Sequence, residues 1–228
     1  MAQNEAFEVR VEIISPVHFG SGKGDVNIDA EVAHDVLGLP YFPAKRFKGL
    51  LYESALEVVE IMGDSPLFSA DEVRVLFRHG QKAMDTDSVQ MVMSNLRLED
   101  YGTLQEEWGY LQKTYPELLQ PQDVLEQYTS LRYQTKIDPK TGIASDTSLH
   151  NMRVVDKGVV FIGRMDLKNG GEKERRILSL AIRNLERAGL KRNRGFGKIR
   201  CTLTQDGKNV GGATIEAALR EWKEANGQ

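Results

Sequence analysis

Ile14-Ser-Pro-Val-His-Phe-Gly-Ser-Gly-Lys-Gly-Asp-Val-Asn-Ile-Asp-Ala-Glu-Val-Ala-His-Asp-Val-Leu-Gly-Leu-Pro-Tyr-Phe-Pro-Ala-Lys-Arg-Phe-Lys-Gly-Leu50 is the stretch on which the reading of the fold turns. Upstream of it, Phe7-Glu-Val-Arg-Val-Glu-Ile-Ile14 alternates apolar and charged side chains, the period of a half-buried strand. Ser15-Pro16 ends that strand, since proline brings no N–H to a ladder. The glycines of Gly20-Ser-Gly-Lys-Gly24 resemble a dinucleotide fingerprint, but that motif must open a helix directly. Here Asp25-Val-Asn-Ile-Asp29 continues extended, so the glycines are read as allowing a tight loop and a close approach of backbone to ligand. Pro40 and Pro43 flank a turn. Beyond it Phe47, Leu50, Leu51, Ala55, Val58, Val59 and Met62 recur at three-to-four spacing, which predicts a helix over 44–62 with Gly63 as its stop. Lys45, Arg46 and Lys48 fall in its first turns, beside free backbone amides that attract anions.

Near the other end of the chain lies a partner for this stretch, Lys191-Arg-Asn-Arg-Gly-Phe-Gly-Lys-Ile-Arg200. Its glycines let amides face phosphate oxygens while the flanking cations neutralise them. Phe196, between Gly195 and Gly197, can stack on a base or plug the core, and core is the commoner use. Two basic, glycine-bearing loops, each beside a strand, point to a surface that holds a phosphodiester chain.

Composition sets the limits. At 228 residues, 40% hydrophobic and 28% charged, the chain is that of a single soluble domain burying roughly 70% of its unfolded surface. No apolar run approaches the roughly 20 residues of a membrane-spanning helix, so no membrane is expected. The opening Met1-Ala-Gln-Asn-Glu-Ala6 has neither basic segment nor apolar core, so no signal peptide is expected either. A lone Cys201 excludes an internal disulfide and a cysteine-based zinc site, and suits a reducing cytoplasm. The net charge of −3 is unusual for a nucleic-acid binder, but the bases gather at 45–48 and 191–200 while the acids gather between Glu53 and Glu107. Exposed fields decay within a Debye length of roughly 8 Å, so a local positive groove on an acidic body suffices.

Between these ends the pattern predicts a short helix over 69–79 and a strand over 89–98 that is irregular at Ser94-Asn95. Charged helices over 104–113 and 121–128 read as an insertion. The polar connection 128–151 turns at Asp138-Pro-Lys-Thr-Gly142. A hairpin over 152–167 is predicted to turn at Asp156-Lys157-Gly158, followed by a helix over 173–188, a strand over 197–204 and a terminal helix over 213–224. Strand, helix, strand, then hairpin, helix, strand is an α+β, ferredoxin-like (RRM-like) core: an antiparallel sheet with helices on one face. One domain over 1–228 is expected, with the insertion at about 101–151.

His18, Asp29, His34 and Asp35 cluster in sequence. A carboxylate near a scissile phosphate can hold a divalent cation, and a histidine can work as general acid or base on a ribose hydroxyl. Spacing alone favours duller roles: Asp29 capping a turn, His34-Asp35 bounding a strand, His18 satisfying its loop. No Ser/His/Asp or Cys/His nucleophile arrangement is present.

Taken together, Ser15-Pro-Val-His-Phe-Gly-Ser-Gly22, Ile28-Asp-Ala-Glu-Val-Ala-His-Asp35, Gly38-Leu-Pro-Tyr-Phe-Pro-Ala-Lys-Arg-Phe-Lys-Gly-Leu-Leu51 and Asn193-Arg-Gly-Phe-Gly-Lys198 resemble the RAMP superfamily of CRISPR-associated proteins, specifically subunits of type III (Csm/Cmr-like) effector complexes. Asp138-Pro-Lys-Thr-Gly-Ile-Ala-Ser-Asp-Thr-Ser-Leu149 is similar to the middle segment of several type III members, notably of the D subtype. The resemblance implies an RRM-like core packed beside its neighbours along a CRISPR RNA, with a projecting thumb that interrupts the guide–target duplex; 128–151 is its counterpart here. It implies that Asp29 cuts target RNA with a divalent metal, magnesium or manganese, held at that carboxylate. It gives guide-RNA binding to His18, to Lys45, Arg46 and Lys48, and to the terminal loop with Lys191, Arg192, Arg194, Gly195 and Gly197. The implied partners are CRISPR RNA, single-stranded target RNA, other type III subunits and further copies of this chain, in the cytoplasm. The usual Pro-Gly-Ser-Ser-Leu-Lys-Gly reads Pro43-Ala-Lys-Arg-Phe-Lys-Gly49, and the terminal loop lacks the extra leading glycines. Both a repeating backbone subunit and a non-cutting cap on one guide end therefore stay open. A stand-alone endonuclease maturing the guide precursor through His18 or His34 is a third reading.

Overall fold

Strand β1 (Gln3–Ile13) places Phe7, Val9, Val11 and Ile13 on one face, as its alternation requires, and all four are buried. The computed structural model describes residues 3–20, 30–63, 67–78, 88–134, 150–190 and 195–225. The elements that follow β1 are β2 (Tyr41–Phe42), α1 (Ala44–Met62), α2 (Ala70–Phe77), β3 (Gln90–Met93) and β4 (Leu96–Leu98). Then come α3 (Tyr101–Thr114), α4 (Pro121–Glu126), β5 (Thr129–Gln134), β6 (His150–Val155) and β7 (Val160–Gly170). The chain closes with α5 (Glu172–Asn184), β8 (Ile199–Gln205), β9 (Lys208–Asn209) and α6 (Val210–Ala225).

A seven-stranded antiparallel sheet runs β2-β4-β7-β1-β8-β9, with β3 also on β7. The order β4-β7-β1-β8, with α1 and α5 as crossovers, is the ferredoxin-like arrangement. β1 is central because both sides of its ladder are used: Val9 lies opposite Gly163 of β7 and Leu203 of β8. The irregularity expected at Ser94-Asn95 separates β3 from β4, and it stays stitched to β7 by Ser94 N–H on the Arg164 carbonyl (3.0 Å) and Arg164 N–H on Ser94 Oγ (2.9 Å). Gly163 is required beside it, since a Cβ there would lie 2.7 Å from Leu96 Cγ.

Helices α1 and α5 cover the apolar face of the sheet with Phe47, Leu51, Ala55 and Val58 from one, and Ile177, Leu178, Ala181 and Ile182 from the other, all buried. Each such large side chain contributes about 1.5–3 kcal/mol by leaving water. The Ser54 hydroxyl satisfies itself at the helix crossing by donating to the Ala181 carbonyl (2.8 Å).

The expected hairpin over 152–167 is not formed. β6 pairs instead with β5, from Thr129 opposite Val155 to Gln134 opposite His150, as a separate two-stranded sheet. Asp156-Lys157-Gly158 is a turn between sheets. Gly158 N–H donates to the Ile13 carbonyl (2.8 Å) and Asp156 N–H to the Tyr128 carbonyl (3.0 Å), so the chain is handed from one ladder to the other. The polar connection 128–151 thus begins and ends as paired strand; its middle, 135–149, lies outside the described residues. Helices α3 and α4 pack on the turn after His34: Tyr101 donates its hydroxyl to Asp35 Oδ2 (2.7 Å), and Gln112 Nε2 donates to the Leu37 carbonyl (2.9 Å).

Candidate nucleic-acid interface

The exit of β1 and the entry of β8 are bonded to each other. Ile14 N–H and Ser15 N–H both donate to the Lys198 carbonyl (2.9 and 3.1 Å), and Lys198 N–H returns a bond to Ser15 Oγ (2.9 Å). One step further out, Gly197 N–H donates to the Pro16 carbonyl (2.9 Å), while its own carbonyl accepts from Ala188 N–H (2.8 Å). Gly189 and Gly197 both have φ +79, and the space beside them explains why. A Cβ on Gly189 would lie 2.7 Å from the His18 carbonyl, and one on Gly197 would lie 2.1 Å from the Ala188 carbonyl. Gly195 (φ +80) is exposed, with open space where a Cβ would sit. The segment that leaves β1 and the segment that enters β8 therefore meet at one end of the sheet. Lys191, Arg192 and Arg194 lie outside the described residues, but Gly189 and Gly197, on either side of them, are both seated against the segment 16–18.

Aromatic packing joins this end of the sheet to the start of α1. Phe19 stacks on Phe42 with centroids 3.7 Å apart, Phe42 meets Phe47 edge-on at 5.2 Å, and Phe19 meets Phe161 at 5.9 Å. The first turn of α1 holds no acidic residue, and Pro43 caps it without a side-chain bond. Asn95 Oδ1 reaches in from elsewhere, accepting from Ala44 N–H at 2.9 Å. Lys45 and Arg46 are exposed, and Arg46 Nη2 lies 3.7 Å from where a Cβ on Gly20 would be. Lys48 does not join them. Two residues on from Arg46, it faces the opposite side of the helix, is half-buried, and places Nζ 3.5 Å from the Met91 carbonyl. Burial, and then the charge of Arg78, lower its pKa.

His18 is 2% exposed, and its Nδ1 is 2.8 Å from the Arg153 carbonyl. A carbonyl only accepts, so Nδ1 carries the proton and Nε2 is turned toward Gly20, where a Cβ would meet it at 2.8 Å. The placement makes His18 a support beneath Gly20. Asp29 lies outside the described residues. Its successors are fixed: Ala30 bridges Met152, its carbonyl accepts from Arg153 N–H (3.0 Å), and Glu31 pairs with the Arg153 guanidinium (3.1 Å). Asp35 has the duller of its roles, with Oδ1 accepting from Leu37 and Leu39 N–H (2.9 and 3.0 Å), while His34 is exposed. Burial pushes the Cys201 thiol up to about 12, so it is no nucleophile at neutral pH.

Among the described residues no group of three His, Cys, Asp or Glu side chains could hold a metal ion. Strands β1, β3, β4, β7 and β8 carry, among the described residues, two aromatic residues, Phe7 and Phe161, and both are buried. The half-buried Tyr41, on β2 opposite Arg97, is the aromatic that the sheet turns away from its core. Three ion pairs lie on the strands: Arg10 with Glu99, Arg200 with Glu12 (2.9 Å) and Arg164 with Asp166 (2.8 Å). Arg97, exposed on β4, lies over the Tyr101 ring at 4.2 Å from its centroid. Arg153 was missed by sequence reasoning, and its signal was a charge embedded in the apolar run Met152-Arg-Val-Val155, matched by Glu31 among Ala30, Val32 and Ala33.

A family model described as "RAMP superfamily" matches residues 10–200. A structure of the Type III-B Cmr-beta bound to cognate target RNA superposes with a TM-score of 0.64 at 14% identity, covering 92% of this chain and 98% of that one. The apo state of the Type III-B Cmr-beta gives the same TM-score and identity over 89% and 98%. At that identity the likeness is one of fold. No curated protein matches by sequence, and no helix among the described residues is long and apolar enough to cross a membrane.

Proposed function

Since the chain belongs to the RAMP superfamily, whose model spans residues 10–200, we propose that it is a guide-RNA-binding backbone subunit of a type III CRISPR effector complex that cleaves target RNA at Asp29. The observation that carries this reading is the junction, at one end of the sheet, of the segment that leaves β1 with the segment that enters β8, through Gly197 on Pro16 and Gly189 beside His18. Arg46 and Lys45 supply exposed charge there, and Lys191, Arg192 and Arg194 lie on the chain between Gly189 and Gly195. The similar fold in a Cmr-beta complex bound to cognate target RNA supports the same partners: CRISPR RNA, target RNA and neighbouring subunits.

In this reading the cations and loop amides hold the guide backbone without reading its sequence, because phosphate contacts carry no base code. His18 and the glycines set the loop's path. A divalent cation, magnesium or manganese, would be held by Asp29 together with phosphate oxygens of the RNA, since magnesium is commonly bound by one or two carboxylates plus substrate phosphates. Such an ion supplies stabilisation of charge on the transferring phosphoryl group. The test is an assembled complex carrying Asp29→Ala, mixed with complementary RNA. Retained target binding with loss of one or more cuts supports the assignment, and unchanged cutting removes it.

A non-cutting cap subunit is the second reading, favoured by the departure of Pro43-Ala-Lys-Arg-Phe-Lys-Gly49 from the usual family motif. Copy number separates the two: several copies per complex fit the backbone, and a single terminal copy fits the cap.

A further inference from the structure

Arg153 is 2% exposed and sits on β6, in the two-stranded sheet that leads to the segment 135–149. Its backbone N–H donates to the Ala30 carbonyl (3.0 Å), and its carbonyl accepts from His18 Nδ1 (2.8 Å). Its guanidinium Nε donates to Glu31 (3.2 Å to Oε2), Nη1 donates to Thr129 Oγ1 (3.2 Å), and Nη2 lies 3.7 Å from Glu126 Oε1. Glu31 is held in turn, its Oε1 accepting from Val32 N–H (2.8 Å). One residue thus grips the support beneath Gly20, the backbone that follows Asp29, and both strands at the base of the β5–β6 sheet.

We infer that Arg153 is a positioning residue, whose guanidinium aligns the chain that follows the proposed cutting residue, through Glu31, and ties that alignment to the β5–β6 sheet through Thr129. The inference rests on the proposed cleavage at Asp29. Stability alone is a poor reason for this arrangement. An arginine stays charged at any working pH, and burying an ion pair costs enough desolvation that apolar residues of similar volume often do as well or better. What the guanidinium adds is direction: a rigid planar fork fixes Glu31 and Thr129 at set angles, which a leucine or methionine does not. Alignment of this kind has large kinetic leverage, since a displacement of about 1 Å can cost a factor of about 100 in rate.

The experiment compares four assembled complexes, carrying the unsubstituted chain, Asp29→Ala, Arg153→Lys, and the double variant Arg153→Met with Glu31→Leu. Melting temperature, guide-RNA affinity, target cleavage rate and Mn²⁺ binding are measured for each. Manganese is counted by electron paramagnetic resonance in the presence of a target made uncleavable by a 2′-deoxy sugar at the cut. The double variant is expected to melt and to bind guide like the unsubstituted complex. It should nevertheless cut about 100-fold more slowly and bind manganese more weakly, with Arg153→Lys in between. Unchanged cutting and manganese binding in the double variant overturn the positioning role. So does a loss of cutting that comes with an equal loss of melting temperature and guide binding, because that is the mark of a structural pair. If Asp29→Ala cuts normally, the proposed reaction falls instead, whatever Arg153 does. Should the double variant not assemble, Thr129→Val removes the hydroxyl that accepts from Nη1 and donates to the Leu125 carbonyl (2.7 Å), and cutting slowed out of proportion to the fall in melting temperature is the expected result. Equal cutting by that variant counts against the role.

Discussion

Gly197 donates its backbone N–H to the carbonyl of Pro16 at 2.9 Å, so the loop that leaves the first strand and the loop that enters β8 are one structure. Neither can be displaced without the other. That coupling sets the expectations for the glycines around it.

Gly195 and Gly197 have almost the same φ, +80 and +79, in different surroundings. A side chain in the left-handed region costs roughly 1–2 kcal/mol by itself. Gly195→Ala meets open space and should cost only that, a fall in melting temperature of about 2–8 °C for a domain of this size. Gly197→Ala drives a Cβ to within 2.1 Å of the Ala188 carbonyl, which is backbone and cannot swing aside. Its cost should reach about 3 kcal/mol or more, at the upper end for single substitutions. Equal losses in thermal unfolding would mean the close approach at Gly197 is wrong.

Gly20 separates stability from function. Its φ is ordinary, and a Cβ would press on His18 Nε2 at 2.8 Å, the far end of a side chain that has its other nitrogen on Arg153. Gly20→Ala should therefore lower stability by only about 1 kcal/mol while weakening guide RNA binding measurably, because the loop must move off the ring. Guide affinity equal to that of the unsubstituted chain would show that the loop's path does not matter to the RNA.

Cys201 gives a pH test. Its thiol is raised by burial to about 12, against roughly 8.5 for an exposed cysteine. At pH 8 the native thiolate fraction is then on the order of 10⁻⁴, so an aromatic disulfide reagent should label the native protein far more slowly than the unfolded chain. The folded state holds its proton longer than the unfolded state does. This group's contribution to stability is thus complete below about pH 8.5 and is lost as pH rises toward about 12. Rapid labelling of the native protein at pH 8 would contradict the burial.

Local periodicity made much of this legible. The helix over 44–62 was placed at its observed bounds, and the break at Ser94-Asn95 was foreseen, because both follow from side chains a few residues apart. The partner of β6 was not, although its turn residues were correct. Met152 to Val155 and Val160 to Leu167 are two apolar runs around a glycine turn, and nothing within them says that one joins β5. That choice is made by Val17 bridging Val155 and Ala30 bridging Met152, contacts more than a hundred residues apart in sequence. Two-residue strands such as β2 and β9 are too short to show a period. At the site, the basic helix start was legible, but not that Lys48 turns away from Arg46. Helical phase predicted it, since residues two apart fall on opposite sides, yet a cluster of three cations reads as one patch in a linear sequence.

That turning away can be measured. If phosphate contacts at this edge hold the guide, each one released on substitution should flatten the dependence of log affinity on log salt by about 0.7 for a single strand. Lys45→Ala with Arg46→Ala, both exposed and with Arg46 Nη2 reaching toward Gly20, should reduce the slope by about 1.4. The loss of affinity should be about equal for guides of unrelated sequence, since backbone contacts carry no base code. Lys48→Ala removes a half-buried ammonium that faces Met91 and Arg78 on the other side of α1, so the slope should hardly change. Salt titrations of guide binding by the assembled complex decide the matter. A Lys48 effect as large as that of Arg46 would place the RNA across the helix, and the junction of Gly197 with Pro16 would lose its claim to the guide.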